Sequence, residues 1–264
     1  MKEARIVHHG VVRRALAVED EQILRLDDGQ CLSFGDVTWL PPLEPRTIIA
    51  LGLNYEDHVS ELKFKASSRP MMFLKGANSL VGHNGCSECP ADVRQMHPEC
   101  ELAVVIGRQG RRIRAERAYD YIAGYTIAND YALREYLENY YRPNLRVKNR
   151  DFCTPLGPWL VAAGDIPNPM DLELRTYVND EIVQQGNTKN MIVGIPALIE
   201  YLSDFMTLSP GDLILTGTPK GVRYVKPGDV VVAEVEKIGS LTNTIAGARQ
   251  IDEDEQEAAA RNSV

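Results

Sequence analysis

Residues 97–107, HPECELAVVIG, decide the fold because they place two carboxylates beside a buried apolar strand. Side chains of a strand alternate between its two faces, so Glu99 and Glu101 are predicted to share a face with Ala103 and Val105. Two like charges on an apolar strand repel each other and are costly to bury unpaired. The stretch therefore predicts either a solvated sheet edge or a partner that neutralises both carboxylates.

A divalent cation would be such a partner. Mg²⁺ and Mn²⁺ take oxygen ligands and would convert the repulsion between Glu99 and Glu101 into a joint attraction. Asp130 is the best candidate for a third ligand, because it ends the apolar strand AGYTIAND at residues 123–130, where a side chain can project beyond the sheet. The alternative is that the two glutamates lie on a solvated edge and that Asp130 caps a following helix. The short E-x-E spacing does not decide between the two.

A possible proton-transfer pair occurs in the segment GLNYEDHVSELK. His58 and Glu61 are three residues apart, so they share a face if the segment is helical. A carboxylate that orients an imidazole supports acid–base chemistry near neutral pH. The alternative is an exposed ion pair with no catalytic role.

Four cations are concentrated in YYRPNLRVKNRD at residues 140–151, namely Arg142, Arg146, Lys148 and Arg150. In a chain of net charge −8, such a cluster suggests an anionic ligand. Arginine binds carboxylates through two hydrogen bonds, whereas lysine acts as a point charge. A solvated basic loop is the alternative.

The composition excludes several classes of protein. The net charge of −8 argues against a nucleic-acid partner, which requires a basic surface. No apolar run approaches the roughly 20 residues that span a bilayer, and the N-terminus lacks the apolar stretch of a secretory signal. Five cysteines without a regular spacing favour the cytoplasm. The lone CxxC of Cys86 and Cys89 is a weak pattern for zinc.

The chain is predicted to have three parts: a small β-rich segment at residues 1–46, a main domain at 47–247, and an acidic, disordered tail at 248–264. The expected class is α+β and β-dominated, without regular βαβ alternation. The main elements predicted are a buried strand at 47–55, a short helix near 57–64, a helix at 115–122, a strand ending at 130, a helical stretch at 131–141, a hairpin at 172–188 and an amphipathic helix at 195–205.

Seven segments, in this order, resemble the fumarylacetoacetate hydrolase family over residues 47–247. They are GLNYEDHVSE (52–61), FLKGANSLVG (73–82), PECELAVVIGRQGR (98–111), YIAGYTIANDYALRE (121–135), VKNRDFCTPLGPWLV (147–161), VNDEIVQQGNT (178–188) and LSPGDLILTGTPKGV (208–222). Several ordered motifs are more specific than any one of them. Within the family, residues 129–151 look most like the C-terminal half, or separate C-terminal subunit, of the bifunctional decarboxylase/isomerase of homoprotocatechuate (4-hydroxyphenylacetate) breakdown.

The resemblance implies a mixed β-roll or sandwich catalytic fold, commonly dimeric, that binds Mg²⁺ or Mn²⁺. The positions matching functional residues of the family are Glu99, Glu101 and Asp130 for the metal, His58 and Glu61 for the acid–base dyad, Lys148 beside the metal, and Gln184 and Thr218 on the substrate side. Two departures stand out. His97-Pro98 replaces an Asp-Tyr-like pair, and the further aspartate ligand of the hydrolase branch has no clear match.

The resemblance implies decarboxylation of 5-oxopent-3-ene-1,2,5-tricarboxylate, isomerisation of 2-hydroxyhepta-2,4-diene-1,7-dioate, or both. Our hypothesis for the basic cluster is that Arg142 holds a distal carboxylate of the substrate. A related 2-oxo acid enzyme, such as an acylpyruvate hydrolase or an oxaloacetate decarboxylase, is the first alternative. A non-catalytic member that retains the fold for binding is the second. A small-molecule substrate and a homodimer are the expected partners, and a separate N-terminal-type subunit is a further possible one.

Overall fold

The computed structural model describes residues 1–63, 69–137 and 145–248, and strands dominate them. This confirms the predicted β-dominated α+β class. The strands, numbered in chain order, are β1 (Lys2–His8), β2 (Val11–Val18), β3 (Ile23–Leu26), β4 (Cys31–Ser33), β5 (Thr38–Leu40), β6 (Ile48–Gly52), β7 (Met71–Lys75), β8 (Leu80–Val81), β9 (Cys86–Cys89), β10 (Met96–His97), β11 (Cys100–Ile106), β12 (Ile122–Asn129), β13 (Ala132–Leu133), β14 (Thr154–Ala162), β15 (Glu173–Val178), β16 (Glu181–Asn187), β17 (Leu213–Leu215), β18 (Val230–Val235) and β19 (Gly239–Gly247). The α-helices are α1 (Glu56–Glu61), α2 (Leu145–Lys148) and α3 (Ile195–Phe205).

Most strands belong to one large sheet with the order β4-β3-β2-β1-β14-β12-β11-β17-β6-β7, to which β5 and β8 add at β1 and β14. A second sheet has the order β16-β15-β18-β19-β9, and β10 pairs with β13. The N-terminal strands extend the large sheet, since Lys2 of β1 pairs with Val161 of β14. The three-part division of the chain stays a prediction, and residues 249–264 of the expected tail lie outside the described residues.

The central strand β11 is buried along its whole length. Leu102, Val104 and Ile106 pack into the main core, whereas Ala103 and Val105 pack into a second cluster on the other face of the sheet. Burying an aliphatic side chain of this size contributes about 1.5–3 kcal/mol. The apolar residues of β11 thus offset the cost of the buried Glu101, which lies on the face of Ala103 and Val105.

The strand begins one residue later than the sequence pattern predicts. Glu99 precedes β11, because its backbone N–H donates to the side chain of Asn129 (2.9 Å) instead of to a neighbouring strand. Its carbonyl still accepts from the N–H of Asp130 (2.9 Å). Glu99 therefore lies beside the end of β12 although it is not part of the ladder.

The hairpin and the amphipathic helix lie where the sequence predicts them. Strands β15 and β16 are joined through Asn179 and Asp180, which both have positive φ angles (49° and 67°), as a tight hairpin turn requires. Helix α3 covers residues 195–205 as predicted, and its Leu198, Ile199 and Leu202 are buried. Phe205, the last residue of the helix, is 54% exposed although its spacing placed it on the apolar face.

The predicted helical stretch at 131–141 is wrong in its described part. Ala132 and Leu133 form β13, which pairs with Met96 and His97 of β10, and a single 3₁₀ turn follows at Arg134–Tyr136. Pairing with a distant strand overrides the local helix propensity here. The expected helix at 115–122 is a 3₁₀ helix, Ala115–Tyr121. Among the described residues, no helix is both long and apolar enough to cross a membrane.

Candidate metal and acid–base site

Three buried carboxylates meet where β11 and β12 lie side by side. Cys100 pairs with Asn129 in this antiparallel pair, so Glu99, Glu101 and Asp130 fall at the same end of the two strands. One oxygen from each carboxylate lies within 4.8 Å of the others. The three residues are 7%, 0% and 0% exposed, so the solvated-edge alternative is wrong.

Each carboxylate uses one oxygen in a short hydrogen bond. The bonds run from Lys148 Nζ to Glu99 Oε2 (2.6 Å), from the N–H of Gly217 to Glu101 Oε2 (2.6 Å) and from Lys75 Nζ to Asp130 Oδ1 (2.6 Å). Two of the remaining oxygens, Glu101 Oε1 and Asp130 Oδ2, are buried without a hydrogen-bond partner. Lys148 Nζ approaches Asp130 Oδ2 to 3.0 Å as an ion pair, outside hydrogen-bond geometry.

The electrostatics differ sharply between the two glutamates. Burial raises the pKa of Glu101 well above its usual range, and the charges of Asp130 and Glu99 raise it further. Burial also acts to raise the pKa of Glu99, but the charge of Lys148, with smaller effects from His97 and Arg134, more than offsets this and lowers it to about 2. Glu101 is therefore the carboxylate that lacks a cationic partner.

A divalent cation fits this set of oxygens. Mg²⁺ and Mn²⁺ prefer carboxylate oxygens, and Glu101 Oε1 and Asp130 Oδ2 are buried oxygens that have no hydrogen bond to offset the cost of their burial. A cation bound by the three residues would satisfy those oxygens and offset the repulsion that raises the pKa of Glu101.

His58 and Glu61 lie on one face of helix α1, with His58 Nδ1 3.1 Å from Glu61 Oε2. The Glu61 carboxylate also accepts hydrogen bonds from the backbone N–H groups of Gly221 (3.1 Å to Oε2) and Val222 (3.1 Å to Oε1). Burial acts to raise its pKa, but these hydrogen bonds and His58 together lower it. An ionised Glu61 accepts a hydrogen bond from the N–H at His58 Nδ1, which leaves Nε2 as the ring nitrogen available for proton exchange.

One cavity is lined both by His58 and by Glu99 of the carboxylate group. Its polar lining comes from His58, Glu99, Arg134, Lys148 and Thr218. Its apolar lining includes Leu51, Leu53, Met71, Phe73 and Leu137. Glu99 is the member of the carboxylate group that reaches the cavity wall, and Glu101 and Asp130 lie behind it.

Arg134 lines the cavity and contacts His97, and the sequence patterns gave neither residue a role in the site. Arg134 Nε donates to His97 Nε2 (2.9 Å), and an Arg134 Nη atom lies 3.7 Å from Glu99 Oε1. Burial lowers the pKa of His97 to about 4, so the ring is neutral and can accept this bond. The available signal for Arg134 was its position four residues after Asp130. The helix predicted for this segment concealed that signal.

Lys75 is the third residue that was missed. Its side chain is completely buried, and it pairs with Asp130 across 55 positions of sequence. The only sequence signal was a lysine at the end of the apolar strand MMFLK. Lys148, by contrast, lies beside Glu99 and Asp130, and the charges of Asp130 and Glu99 raise its pKa although burial acts in the opposite direction.

Thr218 lines the cavity, and Gln184 lies next to it. The Gln184 amide donates to Thr218 Oγ1 (2.8 Å) and to the carbonyl of Pro219 (2.7 Å). Its oxygen accepts from the N–H of Cys100 (3.1 Å) and from Thr176 Oγ1 (2.7 Å). All of these partners are buried groups of the protein, so Gln184 supports the start of β11. The substrate-side role of Gln184 and Thr218 stays a prediction.

The remaining members of the basic segment have separate surroundings. Arg142 lies outside the described residues. Arg146 lies over the ring of Tyr136 at 3.8 Å, and Arg150 is 3.5 Å from Glu88. Cys86 is exposed and Cys89 is buried, and among the described residues neither belongs to a group that could hold a metal ion.

Comparisons with known proteins agree with the geometry. The family model described as fumarylacetoacetate (FAA) hydrolase C-terminal matches residues 47–246. The chain is 57% identical over 199 residues to the 4-hydroxyphenylacetate degradation bifunctional isomerase/decarboxylase of Escherichia coli, covering 75% of this chain and 46% of that protein. The chain therefore spans about half the length of the bifunctional isomerase/decarboxylases that it matches.

Solved structures match the chain over nearly its full length. The 5-carboxymethyl-2-hydroxymuconate delta-isomerase from Mycobacterium smegmatis is 37% identical with a TM-score of 0.84, covering 95% of this chain and 100% of that one. The 2-hydroxyhepta-2,4-diene-1,7-dioate isomerase from Mycobacterium marinum is 35% identical with a TM-score of 0.83, with the same coverage.

Proposed function

Because the chain belongs to the fumarylacetoacetate hydrolase family, we propose that it is a Mg²⁺- or Mn²⁺-dependent enzyme acting on unsaturated 2-oxo di- or tricarboxylates. The reactions proposed are decarboxylation of 5-oxopent-3-ene-1,2,5-tricarboxylate, isomerisation of 2-hydroxyhepta-2,4-diene-1,7-dioate, or both. The names of the similar isomerase/decarboxylases and isomerases support this choice. The observation that carries it is a cavity that is lined by His58, Glu99 and Lys148 together.

The metal would be held by Glu99, Glu101 and Asp130, whose oxygens lie within 4.8 Å of one another. When bound, it supplies a Lewis acid that stabilises negative charge developing on the 2-oxo oxygen of the substrate. Both proposed reactions develop such charge, when CO₂ departs or when a proton leaves carbon, so one site can serve both.

His58 moves the proton. In isomerisation its Nε2 takes a proton from one carbon of the substrate and returns it to another, and in decarboxylation it delivers a proton to the carbon that CO₂ has left. Glu61 holds the opposite ring nitrogen at 3.1 Å and stabilises the imidazolium in either case. The backbone N–H groups of Gly221 and Val222 keep that carboxylate in place.

Lys148 and Arg134 provide positive charge on the cavity wall for the carboxylates of the substrate. His97 fixes the guanidinium of Arg134 by accepting from its Nε. Arg142 is proposed to bind a distal carboxylate, and Thr218, supported by Gln184, to border the substrate. The apolar wall around Leu53 and Phe73 suits an unsaturated carbon chain between two charged ends, which favours these substrates over the short oxaloacetate.

The test is an ultraviolet absorbance assay on both proposed substrates, with acylpyruvate and oxaloacetate in parallel, in the presence of Mg²⁺ or of EDTA. We expect turnover of a proposed substrate that EDTA abolishes, and a loss of about 10²-fold or more in kcat for His58→Gln. Turnover that persists undiminished in EDTA, or in the His58→Gln enzyme, would contradict the proposal. A homodimer, pairing with an N-terminal-type subunit and a cytoplasmic location stay predictions.

A further inference from the structure

Lys75 is a buried lysine that contacts the carboxylate group without reaching the cavity. It is the last residue of β7, and neither its side chain nor that of Asp130 is more than 1% exposed. Its Nζ donates to Asp130 Oδ1 (2.6 Å) and to the backbone carbonyl of Lys148. Lys75 thus joins a proposed metal ligand to the segment that carries the second lysine of the site.

The position of Lys75 is fixed from both sides. The residue after it, Gly76, donates its N–H to Asn149 Oδ1 (2.5 Å), and Asn149 Nδ2 donates to the carbonyl of Leu74 (3.2 Å). Asn78 Nδ2 adds a bond to the carbonyl of Asn149 (3.0 Å). The end of β7 is therefore tied to the residue that follows Lys148, and the ammonium group has little freedom to leave Asp130.

This contact occupies one of the two oxygens of Asp130. With Oδ1 bound to Lys75, Oδ2 is the oxygen that remains without a hydrogen-bond partner, although Lys148 Nζ lies 3.0 Å from it as an ion pair. We propose that Lys75 is a positioning residue that restricts Asp130 to binding a cation through Oδ2 alone, and thereby sets the selectivity of the site for small divalent cations. This inference rests on the metal site of the proposed function.

The reason lies in the different demands of the two classes of hard cation. Mg²⁺ requires six ligands in near-octahedral geometry, whereas Ca²⁺ accepts six to eight and readily uses both oxygens of a carboxylate. Glu99 and Glu101 are restricted in the same way, because Lys148 and Gly217 each donate a hydrogen bond to one of their carboxylate oxygens. A site with one available oxygen per carboxylate suits the smaller ion, and freeing Asp130 Oδ1 would add the ligand that Ca²⁺ can use.

Two simpler roles for Lys75 predict different behaviour. If the lysine acted only through its charge, removing it would strengthen the binding of all divalent cations by a similar factor. If it were only a packing element, removing it would weaken them all together. A change in the ratio of Ca²⁺ to Mn²⁺ affinity follows from neither.

The experiment is calorimetric titration of the metal-free protein with Mn²⁺, Mg²⁺ or Ca²⁺ alone, for the wild type, Lys75→Met and the control Lys189→Met. Lys189 is an exposed lysine, so its variant removes the same charge without touching a carboxylate of the site. We expect the wild type and Lys189→Met to bind Mn²⁺ more tightly than Ca²⁺. In Lys75→Met the ratio of the Ca²⁺ to the Mn²⁺ dissociation constant should fall about tenfold, within the range over which ligand sets tune Ca²⁺ affinity.

Lys75→Gln is the second variant, because its side chain is one bond shorter and cannot keep the contact with Oδ1. It should show the same fall in the ratio, and it decides the question if Lys75→Met does not fold, as judged by thermal melting of the metal-free protein. An unchanged ratio in the folded variants overturns this inference and leaves the metal site standing. Failure of the wild type to bind any of the three cations overturns the metal site itself.

Discussion

Replacing Asn54 by alanine tests how the turn before helix α1 is held. The Asn54 side chain is 3% exposed and makes three hydrogen bonds to backbone groups. Its amide donates to the carbonyls of Val193 (3.1 Å) and Thr216 (2.9 Å), and its oxygen accepts from the N–H of Val193 (2.9 Å). Between this side chain and β6, Leu53 adopts a left-handed backbone conformation with a φ angle of 56°, which is strained for a bulky residue.

The magnitude follows from the groups that the substitution leaves behind. Alanine removes every partner that the side chain provides, and each buried polar group left unsatisfied costs about 1–3 kcal/mol. Entry of water and relaxation of the strained Leu53 offset part of this sum, so we expect Asn54→Ala to lower the free energy of unfolding by about 3–5 kcal/mol. That is a large part of the about 5–15 kcal/mol typical of a folded protein.

The assay is urea-induced unfolding of the metal-free protein, followed by fluorescence and by circular dichroism. Asn168→Ala is the control, because Asn168 is exposed and its side chain accepts one local bond from the N–H of Met170 (3.2 Å), so its loss should stay below about 1 kcal/mol. Asn54→Asp retains the acceptor but places a carboxylate against two carbonyl oxygens, and it should be no more stable than Asn54→Ala. A loss below about 1 kcal/mol for Asn54→Ala, or a wild-type stability for Asn54→Asp, would refute the reasoning.

Three further predictions concern other parts of the molecule. Glu101→Gln should raise the stability of the metal-free protein by about 1–3 kcal/mol, because it removes a buried charge that has no cationic partner. The same substitution should abolish the stabilisation by Mn²⁺. Melting curves in EDTA and in Mn²⁺ check both effects. Burial lowers the pKa of His83 from 6.5 to about 4, so the unfolded chain binds the proton more readily. As the pH drops from 6.5 towards 4, His83 should therefore lower the free energy of unfolding by at most about 3 kcal/mol, and urea titrations of His83→Asn should lack this share while that of His97 remains. Gln184→Leu leaves the N–H of Cys100 and the carbonyl of Pro219 without their partner and should cost about 2–4 kcal/mol, and a melting temperature equal to that of the wild type would contradict this.

The parts of the site that could be predicted are those whose signals are local. The alternation of Glu99 and Glu101 in an apolar strand, and the position of Asp130 after another strand, suffice to place three carboxylates at sheet ends. The three-residue spacing of His58 and Glu61 likewise places them on one face of a short helix. Adjacency of β11 and β12 in the sheet then brings the carboxylates together.

The missed residues depend on contacts that no local pattern encodes. Lys75 meets Asp130 because of the order of strands in the large sheet. Strand β7, which carries Lys75, pairs with β6, β6 runs parallel to β17, and β17 pairs with β11. That order of strands cannot be read from the periodicity of any one of them. Arg134 was obscured for a related reason, since pairing of β13 with β10 replaced the helix that its own segment favoured.

The segment TGTPKGV at residues 216–222 connects the two halves of the site through its backbone. The N–H of Gly217 binds Glu101, the hydroxyl of Thr218 donates to the carbonyl of Cys100 (2.9 Å), and the N–H groups of Gly221 and Val222 bind Glu61. One short loop thus contacts both a proposed metal ligand and the carboxylate that orients His58.

This dual contact explains why two glycines are needed in the segment. Gly217 and Gly221 have φ angles of 88° and 132°, where a side chain is strained. An added Cβ would also lie 2.8 Å from the Cβ of Asn54 at Gly217, and 2.6 Å from the carbonyl oxygen of Val183 at Gly221. Because neither neighbouring group can move without displacing the turn before α1 or the strand β16, a side chain at either glycine would shift the N–H groups that hold Glu101 and Glu61. The relative position of the proposed cation ligands and of the His58–Glu61 pair is therefore set by the backbone of this loop.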